Sequence, residues 1–130
     1  MDLQLAAPPD LPAFPDCGGD PRNVRVTLET KEYEGEIAPG VTYTFLSSNG
    51  GVPGPAIVVC LGDFDPVTLK NAADSKHSHN VDFHSATGES GGGGISMVGP
   101  GQQTTFRFQT IKEGVFLYHC AIPPIPFHVT

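Results

Sequence analysis

The run His79-Asn80-Val81-Asp82-Phe83-His84 carries two histidines and an aspartate within one short stretch. Near the end of the chain, His119 and Cys120 are adjacent and His128 follows. All five histidines, counting His77, fall after residue 76. Two imidazoles and a thiolate, with a weak axial sulfur, make the trigonal site that copper uses for electron transfer. Cys120 and His128 bracket the loop Ala121-Ile122-Pro123-Pro124-Ile125-Pro126-Phe127. Its prolines restrict the loop before any metal arrives, so a tight three-ligand geometry loses less entropy. His79 would come from a neighbouring strand.

Side-chain parity divides these residues into two sets. Adjacent residues on an extended strand point to opposite faces, so if Cys120 looks into the domain, His119 looks outward. His84 stands at an odd offset from His79 and therefore faces the other way, and Asp82 stands at an even offset from His84. The expected sets are His79, Cys120 and His128 on one side, and His84 and His119 on the other. Asp82 joins the second set, where it could handle protons.

The elements that must hold these groups are strands. Val24, Val26 and Leu28 alternate with Arg25, Thr27 and Glu29, and the same texture recurs over 41–46, 56–61, 67–70, 80–84, 104–109 and 115–119. Turn signals separate the runs: Pro39-Gly40, Asn49-Gly50-Gly51, Pro53-Gly54-Pro55, Gly62-Asp63, Gly99-Pro100-Gly101 and Glu113-Gly114. Seven short strands with this punctuation predict an all-β antiparallel sandwich or Greek-key barrel. Residues 1–22 are rich in Pro and Gly and read as an extended arm, with the domain proper over 23–130. Ser90-Gly91-Gly92-Gly93-Gly94 is either a flexible linker or a place where backbone must pass close to something else. Phe106, Phe108, Phe116 and Phe127 are expected in the core, as is Cys60, while His77 is expected to decorate a surface turn.

Composition removes several function classes. The 130 residues suffice for one core, and a chain with 16 Gly, 13 Pro and no Trp is a poor candidate for a helical bundle. A net charge of −7 disfavours nucleic acid and anionic membranes as partners. No apolar run approaches a membrane span, and Met1-Asp2-Leu3 lacks the basic start of a signal peptide. Cys17, Cys60 and Cys120 are odd in number and widely spaced, which suggests no disulfide framework, although Cys17 and Cys60 could pair.

His79 to Gly88, the glycine run after it, Tyr118-His119-Cys120 and His128-Val129-Thr130 resemble the first cupredoxin domain of copper-containing nitrite reductases. Val52-Pro53-Gly54-Pro55 and Gly62-Asp63 extend the likeness over about 23–130. The resemblance implies a type 1 electron-transfer copper on His79, Cys120 and His128. It implies a type 2 copper on His84 and His119, where nitrite becomes nitric oxide, with Asp82 as the catalytic proton relay. It further implies a homotrimer, a small redox protein as electron donor and a periplasmic location. The family's axial methionine lies five residues past the position that matches His128, beyond Thr130. So do the closing strand and the second domain, which supplies the remaining type 2 histidine. The cupredoxin domain is thus expected to lack its final strand, and the isolated chain to be inactive. The alternatives are a blue-copper electron carrier and a two-domain laccase-type multicopper oxidase. The latter generally needs His-Cys-His where this chain reads His119-Cys120-Ala121.

Overall fold

The computed structural model describes residues 1–128; Val129 and Thr130, which belong to the resemblance above, lie outside the described residues. The alternation that begins at Val24 becomes β1 (Val26–Ala38), whose first half buries Val26, Leu28 and Thr30 and exposes the residues between them. Its second half, with the acidic residues Glu34 and Glu36, runs out as a ribbon paired antiparallel with β2 (Val41–Ser48). Pro39-Gly40 makes the turn, and Gly40 takes the positive φ of 76° that the third position of a type II turn demands. The other strands are β3 (Phe64–Asn71), β4 (Asp82–Phe83), β5 (Gln103–Gln109) and β6 (Tyr118–His119). A four-stranded sheet has the order β2-β1-β3-β5, and β4 with β6 forms a separate two-stranded sheet.

The core lies between these two layers. Val26, Leu28, Val67, Leu69 and Phe106 from the large sheet meet Val81, Phe83 and Val98 from the segments around β4. Full burial of each such side chain stabilises the fold by roughly 1.5–3 kcal/mol. Phe83 packs against Phe108 and Tyr118 at ring distances of 5.4 and 5.5 Å, which anchors β4 and β6 together. Tyr118 donates its hydroxyl to the Pro55 carbonyl at 2.7 Å, and burial pushes its pKa up to about 12. Asp65 on β3 is buried without a hydrogen-bond partner. Burial first, then the neighbouring Asp63, pushes its carboxyl up to about 6.

Several expectations are corrected here. β1 and β3 pair in parallel, so the large sheet is mixed rather than wholly antiparallel. Residues 56–61 form no strand. Their backbone is held instead by side chains and loops: Cys60 N donates to Asp63 Oδ2, and the Cys60 carbonyl accepts from Thr110 Oγ1 at 2.6 Å. Regular pairing also fails over 115–117, where Val115 and Leu117 are exposed, and Phe116 and Phe127 are exposed rather than core. Cys17 and Cys60 form a disulfide across a separation of 43 residues, linking the N-terminal segment to this loop. The same segment lies along the sheet edge, with Leu3 N donating to Arg25 O and Arg25 N to Met1 O. Arg22 is fixed to the loop by Asp63 Oδ2 at 2.7 Å.

The glycine run is a close approach and not a linker. It forms a 3-10 segment (Glu89–Ile95) broken by positive φ at Ser90, Gly91 and Gly92. A Cβ on Gly91 would meet the backbone of Phe83 and Oδ1 of Asp82, and one on Gly92 would lie 2.6 Å from the Phe106 ring. The missing side chains are what let this segment cover β4.

Candidate metal centres

β4 and β6 pair antiparallel with Asp82 opposite His119 and Phe83 opposite Tyr118. Directly opposed residues share a face. Asp82 and His119 therefore project together on one side, while Phe83 and Tyr118 enter the core on the other. His84 continues β4 and donates its backbone N–H to Leu117 O, which keeps it alongside β6. The donor atoms of Asp82, His84 and His119 all lie within 4.8 Å of one another. His119 Nδ1 stands 2.9 Å from the Cys120 carbonyl. A carbonyl only accepts, so Nδ1 is the donor there, and in the neutral ring Nε2 is the bare nitrogen. His84 Nε2 lies 2.9 Å from it. Two nitrogens bound side by side to one ion at about 2.0 Å would stand roughly 2.8 Å apart, so the pair fits adjacent positions on a metal.

The second set is on the inner side. His79 lies ahead of β4, its backbone held by reciprocal hydrogen bonds with Val98, and its ring is buried. Cys120 follows β6 directly, and His128 ends the short helical turn α1 (Ile125–His128), also buried. Cys120 Sγ lies 3.9 Å from His79 Nδ1 and 3.4 Å from His128 Nδ1. A trigonal ion with bonds of about 2.0 Å to nitrogen and 2.3 Å to sulfur separates those atoms by roughly 3.5–4 Å, so the donors fit such an ion. Burial first, then the nearby His128, lowers the His79 pKa to about 4. Burial also lowers His128. Both shifts favour the neutral ring, the form in which imidazole binds metal.

Asn80, Ser96 and Glu32 take part in this site although sequence reasoning assigned them no role. Asn80 Oδ1 accepts from Ala121 N at 2.7 Å and from Cys120 Sγ at 3.5 Å, while its Nδ2 donates to Gly93 O. One side chain thus ties the cysteine loop to the glycine run. Ser96 Oγ donates to Val81 O and accepts from Val81 N, pinning the same strand. His77 lies in a surface bend as expected, its side chain 38% exposed, but it is not free there. Its Nδ1 is 2.8 Å from Glu32 Oε1, and its ring packs edge-on against Phe127 and His128. Adjacency to His79 was the one sequence signal for Asn80. Glu32 and Ser96 offered none.

A Multicopper oxidase family model matches residues 29–123. The chain belongs to the multicopper oxidase family. The chain is also 43% identical over 131 residues to a protein named copper-containing nitrite reductase from Rhizobium sullae. That match takes in 98% of this chain and 35% of that protein. The fold is similar to a solved copper nitrite reductase of Nitrosomonas europaea (TM-score 0.69, 35% identity, 79% of this chain and 36% of that one). It is also similar to a solved multicopper oxidase (TM-score 0.71, 26% identity, 96% of this chain and 41% of that one). These neighbours mark the sandwich as an all-β cupredoxin-like fold. The chain spans about a third of the length of the curated relatives it matches.

Proposed function

We propose that this chain is the electron-receiving cupredoxin unit of a copper-dependent nitrite reductase that forms nitric oxide. One observation carries the reading: two separate donor sets, one His-Cys-His and one Asp-His-His, are joined through the single peptide between His119 and Cys120. The relatives named copper-containing nitrite reductase support it. A carrier that only shuttles electrons has no use for the second set.

Copper bound at the two sites would supply one-electron transfer at His79, Cys120 and His128, and Lewis-acid polarisation of nitrite at His84 and His119. The chain's residues do the rest. Cys120 and His119 are covalent neighbours, so an electron reaching the sulfur has a bonded route to the outer set. Nitrite takes one electron and two protons to give nitric oxide and water. Asp82, on the face of His119, would hold a proton and deliver it to the departing oxygen. His119 keeps Nε2 free by spending its Nδ1–H on the Cys120 carbonyl. The natural setting under this reading is a periplasmic homotrimer fed by a small redox protein. No helix among the described residues is long and apolar enough to cross a membrane.

The likeness to a solved multicopper oxidase favours a second reading, oxidation coupled to dioxygen. Anaerobic assay of the assembled, copper-loaded enzyme with a reduced donor separates the two. Nitrite-dependent nitric oxide release is expected. Donor oxidation that requires dioxygen and yields no nitric oxide would favour the oxidase.

A further inference from the structure

Glu32 lies on β1, opposite Leu46, with its side chain only 9% exposed. A buried carboxylate is costly unless donors surround it. Here Oε1 accepts from Lys76 N at 2.9 Å, His77 N at 3.0 Å and His77 Nδ1 at 2.8 Å. The same oxygen stands 3.8 Å from His79 Nε2, a buried ring nitrogen without a hydrogen-bond partner.

We propose that Glu32 is the positioning residue for the inner metal centre, holding the His79 ring with Nε2–H toward its carboxylate and bare Nδ1 toward Cys120. The inference rests on the reading of His79, Cys120 and His128 as a copper site. A carboxylate accepts and does not donate, so the tautomer it favours carries the proton on Nε2. The ring's other nitrogen is then the lone pair 3.9 Å from Cys120 Sγ. Metal-bound histidines are commonly oriented by a carboxylate on the far nitrogen, which also makes them more basic. His77 extends the hold: fixed by Glu32, its ring packs against His128 at 6.0 Å. A fixed negative charge beside the centre stabilises Cu(II) over Cu(I).

Glu32→Gln keeps an acceptor oxygen for the Lys76 and His77 amides and removes the charge. In the copper-loaded protein the variant is expected to keep its thiolate-to-copper absorption and to bind Cu(II) about tenfold more weakly, with Cu(I) affinity little changed. That ratio corresponds to a reduction potential about 59 mV higher. Unchanged affinities and potential would overturn the proposal and leave Glu32 as a tie for the loop. Nitrogen-15 spectra of the metal-free wild-type protein give a reading that depends on neither copper nor the variant's folding. They are expected to show His79 protonated at Nε2, and protonation at Nδ1 would overturn the proposal. Absence of any thiolate-to-copper band in the wild-type protein would remove the copper reading instead, with the nitrogen-15 spectrum still deciding the role of Glu32.

Discussion

Asp82→Asn is expected to lower nitrite turnover by the assembled, copper-loaded enzyme by about 10²–10⁴-fold, the usual worth of a positioned proton donor. The substitution is nearly isosteric, and Asp82 sits where size is constrained, since a Cβ on Gly91 would come within 2.5 Å of its Oδ1. β4 keeps its pairing to β6 through backbone bonds, so His84 and His119 stay in place. What the amide cannot do is release and regain a proton. The thiolate-to-copper absorption should be unchanged, because Cys120 and Asp82 lie on opposite sides of the β4–β6 ribbon. Nitric oxide release measured at saturating donor checks this. Turnover within threefold of wild type would take Asp82 out of the proton path.

Gly91→Ala should cost roughly 3–5 kcal/mol of stability, from strained backbone together with overpacking. Gly91 has φ 52°, a left-handed conformation that disfavours side chains by about 1–2 kcal/mol. The larger part is steric: the new Cβ would stand against the Phe83 carbonyl and 2.7 Å from its backbone nitrogen, atoms fixed by β4. The segment can only relieve this by lifting off β4. Gly94→Ala is the internal control. There the closest atoms are the end of the flexible Glu89 side chain, and the φ is not positive, so less than about 1 kcal/mol is expected. Urea unfolding of both variants measures the difference. Equal midpoints would mean that the glycine run is not packed as described.

The strands that bury one face were legible because burial imposes a period of two. Val26, Leu28 and Thr30 on β1, and Asp65, Val67, Leu69 and Asn71 on β3, show it. The same rule misled at 56–61, where an apolar run is held by side-chain acceptors and a disulfide rather than by a ladder. The Cys17–Cys60 pairing spans 43 residues and leaves no local trace in composition or spacing. Parity separated the two donor sets even though regular β4 is only two residues long. The chain from His79 to His84 is held first by Val98 and then by Leu117. Glu32 was invisible for a different reason. It sits in an acidic stretch that reads as solvated surface, and only the parallel pairing of β1 with β3 and the loop after β3 bring it under His77 and His79.

The inner centre is tested most directly by a Cu(II) titration of this chain followed by visible absorption, run beside Cys120→Ser. Wild-type protein should develop an intense thiolate-to-copper band that saturates once the Cys120 site of each chain is filled. The band should be missing in the serine variant, while the outer histidine pair stays in place in both. No band in the wild-type protein, or a band that survives Cys120→Ser, would contradict the assignment of His79, Cys120 and His128 as the electron-transfer centre.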